Sequence, residues 1–301
     1  MSVTPFITAF LLSLMLTPLA IISAKKMRLV DIPDGTALKI HGRPVANAGG
    51  LVLALSFLPA VLTRGDTDPG IYVVALGALA AVLLGLVDDL KGTKPLTRLL
   101  IQTAIGAGIA GGGVRAGLLT SAFLDATLGA CIVIGAMNAV NLLDGMDGLA
   151  SGVAAICCAA FAAFSYASGD VKVFVLASAL LAAFIGFLPY NFHPASIFLG
   201  NSGSSLTGFL LGVLVILALR GSPTPGGCIG SLLIVGLPVA DTAYAVVRRL
   251  RSGRGIMVGD RDHFYDKLLR KGFSQTQSAL IGYSAAASCA VPGLAILLAL
   301  R

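Results

Sequence analysis

The sequence predicts an all-α integral membrane protein. It reads as a polytopic bundle of about ten transmembrane helices, with both termini periplasmic and a polar site at the cytoplasmic face. Three observations lead there. First, 56% of the residues are hydrophobic, only 12% are charged, and mean hydropathy is +0.93. A soluble domain carries roughly 25% charge, so a soluble fold would lack polar surface. Second, ten apolar runs approach the ~20 residues a helix needs to cross the hydrocarbon core. Third, Lys and Arg segregate between alternate loops. Residues 1–301 read as one domain, since no segment looks soluble.

The first run, 5–24, has no positive residue ahead of it and outlasts a typical signal-peptide core, so it reads as a span. The loop behind it carries Lys25, Lys26, Arg28, Lys39 and Arg43. In KIHGRPVANAGG the cations Lys39, His41 and Arg43 precede run two, 46–63, where they suit a diphosphate. Run three, 70–87, ends in LVDDLKG. Asp88 and Asp89 point about 100° apart on a helix, and they repel unless a cation lies near. Acids at a helix C-terminus also oppose its dipole.

Runs four and five, 98–115 and 118–138, lead into NAVNLLDGMDGLASG. Asn138 and Asn141 share a face there, and Gly145 and Gly148 loosen the backbone around Asp144 and Asp147. Amide oxygens and carboxylates suit a hard cation such as Mg²⁺. The competing reading is a polar turn, because DG is a common turn dipeptide. Runs six and seven are 149–167 and 171–189. In the next loop, GNSGSS offers backbone N–H groups at a helix N-terminus, an arrangement that holds phosphate. Ser204, Gly208 and Gly212 form a small-residue face on run eight, 203–220.

Run nine, 228–247, opens onto a loop with eight basic residues over 248–274. Such a loop attracts anionic lipid, but DRDHFYD adds acids and His263. Run ten is 279–299. Three histidines in three loops give no zinc spacing, and five cysteines without a CxxC pair read as packing residues.

With the N-terminus outside, the loops after odd-numbered runs hold 16 of the 21 Lys and Arg residues. Positive loops stay cytoplasmic. This distribution accounts for the net charge of +7 without nucleic acid. All 14 acidic residues are Asp, and ten fall on that same side. Asp has little influence on topology, so its gathering at span ends marks a functional site.

Together these stretches resemble the polyprenyl-phosphate N-acetylhexosamine-1-phosphate transferases. The resemblance rests on DIP then GG within 31–50, DD at 88–89, NxxNLLDGMDGLA at 138–150, NxxPAxxFLGNSGS at 191–204, PxxD at 238–241, and the basic loop with His263. It runs in order over nearly the whole chain. It implies Mg²⁺-dependent transfer, with Mn²⁺ as a substitute, of a sugar-1-phosphate from a UDP-sugar to undecaprenyl phosphate, releasing UMP. It places the protein in the bacterial cytoplasmic (inner) membrane, at the first membrane step of a cell-envelope glycan, and allows a homodimer. Asp88, Asp89, Asp144 and His263 are the expected catalytic residues. Asp89, Asp144 and Asn201 are the expected metal ligands. Lys39, Arg43, Asn138, Asn141, Asp147, Asn191, Phe198, Ser204 and Arg261 are the expected substrate contacts, with Asn191 and Phe198 near the uracil.

Two departures stand out. Asn201 occupies the place of the family's metal-binding aspartate, and an amide oxygen coordinates without charge. The last loop has one histidine where the family clusters two or three, and leaves Asp260, Asp262 or Asp266 to replace a lost one. Asn201 supports an alternative, a catalytically weakened member that binds lipid carrier or nucleotide as a partner protein. A transporter fits worse, because its site would lie near the midplane. A CDP-alcohol phosphatidyltransferase needs DGxxAR, and DGLASG lacks the arginine.

Overall fold

Capping residues and prolines set most helix starts in the computed structural model, which describes residues 2–33, 42–63, 68–253, 255 and 261–300. Helix α1 spans Thr4–Lys26. Short strands β1 (Val30–Asp31) and β2 (Val45–Asn47) follow, then α2 (Gly49–Leu62). Asp68 accepts from Gly70 N–H and Pro69 opens α3 (Pro69–Lys91); a proline at the first helical position gives up no hydrogen bond. Pro95 likewise opens α4 (Pro95–Gly111). Ser121 caps α5 (Ala122–Leu143). Gly148, at φ +71°, turns the chain into α6 (Leu149–Ser168). Asp170 caps α7 (Val171–Asn191). Strand β3 (Ile197–Phe198) leads into α8 (Gly200–Gly221). Helices α9 (Pro225–Ile234), α10 (Gly236–Arg251), α11 (Phe264–Arg270) and α12 (Gln275–Ala299) complete the order, the last opened by a Ser274–Gln277 capping box.

Nine of the ten apolar runs fall mainly on one helix each, and the run 228–247 falls on two. Among the described residues, seven helices are long and apolar enough to cross a membrane, or eight if α9 and α10 count as one bent span. Among the described residues, α2 and α4 are shorter, at 14 and 17 residues. The run 228–247 is not one straight helix, because α9 and α10 meet at 86°. Pro238 is the cause. It has no N–H for the Ile234 carbonyl one turn back, and that carbonyl instead accepts from Cys157 Sγ at 3.1 Å.

Helix α8 is the hub, with its apolar stretch wholly buried. A Cβ on Gly208 would overlap the backbone of Ala136 and Met137 on α5. The small-residue face expected from the sequence therefore lets α5 and α8 touch backbone to backbone. The helix ends alternate between two ends of the bundle. Asp68 before α3 pairs with Lys172 at the start of α7 at one end. Asp89, at the far end of α3, meets the start of α8 at the other. A three-stranded collar lies at this second end, with β1 antiparallel to β2 and β2 parallel to β3.

Close packing at that end gives a testable consequence. A Cβ on Gly85 would overlap the backbone of Asn201 and Ser202. Gly85→Ala is expected to push α3 off α8 and destabilise the fold by about 1–3 kcal/mol. Thermal unfolding in detergent checks this, and an unchanged Tm would show that the α3–α8 contact yields freely.

Candidate active site

Four segments meet at the collar end. They are the C-terminal ends of α3 and α5, the N-terminus of α8, and the loop after α7. Asp89 is their junction. Its Oδ1 accepts from Asn201 N–H at 2.9 Å and Asn47 Nδ2 at 3.2 Å, and its Oδ2 accepts from Ser202 N–H at 3.0 Å. The GNSGSS amides were expected to stay open for phosphate. The nearest of them instead hold the Asp89 carboxylate, because a helix N-terminus favours any anion within reach.

Asp88 and Asp89 diverge as their 100° spacing requires. Asp88 Oδ1 accepts from Thr93 N–H and Oγ1 at 2.7 and 2.6 Å, and its Oδ2 pairs with Arg98 at 3.2 Å. Arg98 is thus the cation that the doubled charge called for.

The two asparagines also part company. Asn141 Nδ2 donates to Asn201 Oδ1 at 2.9 Å and to Ser204 Oγ at 3.1 Å. Asn138 Nδ2 donates to Gln102 Oε1 and to Ile134 O, both at 2.8 Å. Asn138, expected as a substrate contact, ties α5 to α4 through this amide nitrogen. Asn191 is 3% exposed. It accepts from Ser151 Oγ at 2.7 Å and donates to Ile197 O at 2.9 Å, so its amide fastens the loop to β3. Phe198 lies half-buried beside Asn47 in the collar.

Asp144 caps the end of α5 and has no hydrogen bond or ion pair to its carboxylate among the described residues. Burial, with the like charges of Asp89 and Asp147 added, pushes its carboxyl well above the usual range. Asp147 Oδ2 meets His193 Nδ1 at 2.8 Å and accepts from Ala195 N–H at 3.0 Å. It lines a cavity of about 290 Å³ with Arg43, His193, Ala195 and Gln275. Gln275 Oε1 is buried there without a hydrogen-bond donor, as is Asn47 Oδ1 beside Asp89.

The basic loop closes one side. Arg261 donates to Gly145 O at 3.2 Å and pairs with Asp266 at 3.4 Å. Burial raises the Asp266 carboxyl although Arg261 opposes it. Asp262 faces Arg248, Lys267 and Arg270 instead. His263 is 2% exposed. Lys39, His41 and Asp260 lie outside the described residues. Among the described residues, no three of His, Cys, Asp or Glu converge closely enough to enclose a metal ion unaided.

Sequence reasoning passed over Asn47, Gln102, Arg98, Tyr265 and the role of Asp241. Asn47 lies among the cations of KIHGRPVANAGG, whose charge is the stronger signal. Asp241 belongs to PxxD, but nothing in the sequence links it to His263, 22 residues on.

A bundle of long apolar helices that gathers Asp89, Asp144, Asp147, Asn141 and Asn201 at one end is the architecture of a multi-pass membrane protein with a polar site. Comparison with known proteins narrows this. A family model described as glycosyl transferase family 4 matches residues 71–219. A probable undecaprenyl-phosphate N-acetylglucosaminyl 1-phosphate transferase of Bacillus subtilis is 31% identical, covering 93% of this chain and 81% of that protein. A decaprenyl-phosphate N-acetylglucosaminephosphotransferase of Mycolicibacterium smegmatis is 34% identical, covering 81% and 70%. The undecaprenyl-phosphate alpha-N-acetylglucosaminyl 1-phosphate transferase of Escherichia coli K12 is 26% identical, covering 97% and 83%. The chain belongs to glycosyl transferase family 4.

Proposed function

We propose that this protein transfers N-acetylglucosamine-1-phosphate, or a close N-acetylhexosamine relative, from a UDP-sugar to undecaprenyl phosphate and releases UMP. The setting is the cytoplasmic face of a bacterial inner membrane, with ten crossings and both termini outside. The product is the first lipid-linked sugar of an envelope glycan. The observation that carries this reading is Asp144, buried at the end of α5 near the charges of Asp89 and Asp147, with no partner for its carboxylate among the described residues. The names of the relatives supply the substrate class.

The reaction breaks one phosphoanhydride bond and forms another. An oxygen of the lipid phosphate attacks the sugar-bearing phosphorus, and UMP leaves with the bridging oxygen. Little driving force is needed, but several anionic oxygens must be brought together, so charge and orientation decide the rate. The cavity beside Asp147, lined by Arg43, His193 and Gln275, suits the donor nucleotide. An apolar groove of about 340 Å³ runs between α5, α8, α9 and α10, lined by Ala136, Val140, Leu211, Leu232 and Val239. It suits an isoprenoid tail.

The residues also fit a hard divalent cation. Among the described residues, Asp144 has no counter-charge and Asn47 Oδ1 has no donor. Mg²⁺ needs only one or two carboxylates when phosphates and water complete its shell, so the lack of a three-residue cluster is no obstacle. Asp89, Asp144 and Asn201 would hold it, with Mn²⁺ as a substitute. The cation would supply positive charge to the reacting phosphates. Asn201 offers the acceptor oxygen that Asn141 already uses, so the exchange of aspartate for asparagine keeps a ligand and removes a charge. This favours a working transferase over a weakened binding partner.

UMP release by the purified chain, with undecaprenyl phosphate, Mg²⁺ and a panel of UDP-N-acetylhexosamines, tests the reading. Lipid-dependent UMP from UDP-N-acetylglucosamine is expected. No UMP from any donor in the presence of lipid would refute it.

A further inference from the structure

A second polar cluster joins α10 and α11 to the end of α5. Asp241 Oδ2 lies 2.6 Å from His263 Nδ1, and Asp241 Oδ1 accepts from Phe264 N–H at 3.1 Å. A carboxylate only accepts, so Nδ1 carries the proton. The two side chains are 3% and 4% exposed. Asp266 accepts from His263 N–H at 3.1 Å and pairs with Arg261, whose guanidinium donates to Gly145 O. The Tyr265 ring stacks on His263, with centroids 5.7 Å apart, and its hydroxyl donates to Leu142 O at 3.4 Å. These contacts run unbroken from α10 to the backbone on both sides of Asp144.

We propose that His263 is a positioning residue and forms a clasp with Asp241. Its Nδ1–H, held by Asp241, docks the 261–266 segment on residues 142–145, and so places Asp144 and Arg261 for the transfer. This rests on the function proposed above. A residue that moves protons must reach the reacting atoms. His263 is nearly inaccessible, and its Nδ1 is committed to Asp241. Helix α10 leaves α9 at 86°, and Asp241, beside Arg248 and Tyr244, ties it to the 261–267 segment. A buried carboxylate is costly unless its oxygens are hydrogen-bonded, and the second Asp241 oxygen is met by Phe264 N–H. Tyr265 and Asp266 follow His263 on the same short helix. They too face backbone or Arg261.

His263→Asn separates a clasp from a proton carrier. The asparagine amide nitrogen can take the place of Nδ1 and donate to Asp241, but it transfers no proton. The clasp predicts that His263→Asn keeps kcat within roughly 5-fold of wild type, while His263→Ala lowers kcat by roughly 50-fold or more with donor KM little changed. It also predicts that adding Asp241→Asn to His263→Ala costs almost nothing more, because the two act as a unit. An inactive but folded His263→Asn, or additive losses in the double variant, would overturn the proposal. Spectroscopy gives a readout independent of turnover. The chain has three histidines, so ¹⁵N-labelled imidazole signals can be assigned, that of His263 by its absence in His263→Asn. A wild-type His263 bearing its proton on Nδ1, and slow to exchange, supports the clasp; a lone pair on Nδ1 overturns it. If wild type releases no UMP, the transferase reading fails, and the spectrum still decides the clasp.

Discussion

Asp144→Asn is expected to lower kcat by roughly 10³-fold while raising the Tm of the metal-free protein. The two effects share a cause. Among the described residues, no cation or donor compensates the Asp144 carboxylate. Burial, with Asp89 and Asp147 nearby, raises its carboxyl well above 3.8, so the folded state keeps that proton to higher pH than the unfolded chain does. Between the unfolded and folded values the native state binds more protons, and stability therefore falls as pH rises across that window, then levels off. The amide variant has no such titration, so its advantage over wild type grows across the same window. Added Mg²⁺ is expected to reverse the order by stabilising wild type and leaving Asp144→Asn unmoved. Thermal unfolding from pH 4 to 8, with EDTA and then Mg²⁺, run beside UMP release, measures all of this. A variant less stable than metal-free wild type at pH 8 would mean that Asp144 has a structural partner after all.

The membrane class and the site's acidic core were legible because they depend on residue type. Carboxylates and amides at the ends of apolar runs are too costly to be incidental, and the structure brings Asp89, Asn141, Asp144, Asn201 and Ser204 together. What the sequence concealed was the direction of each side chain. Asn138 and Asn141 lie about 60° apart around a helix, which is enough for one to face α4 and the other α8. GNSGSS displayed donors but not the carboxylate that would take them. Run nine looked continuous because hydropathy does not register the hydrogen bond that Pro238 cannot make. The collar went unseen because strands of two or three residues leave no alternating pattern.

Asp89→Ala is expected to lower both stability and activity, the opposite pairing to Asp144→Asn. Asp89 accepts from two backbone N–H groups at the start of α8 and from Asn47. Hydrogen bonds to a charged group are worth about 1.5–3 kcal/mol each, and removing this one acceptor orphans three donors together. The α8 N-terminus would lose its cap, the β2 contact would loosen, and Asn201 and Ser204 would lose their fixed height against Asn141. Activity is expected to fall by roughly 10³-fold or more, with Tm dropping beside it. Asp89→Asn does not rescue, because its amide hydrogens would face donors on whichever side they turn. Measured together, the two aspartates distinguish a carboxylate held by the fold from one strained by it. A folded Asp89→Ala protein with wild-type Tm would show that α8 keeps its N-terminus without this anion, and would leave Asp89 a role in chemistry alone.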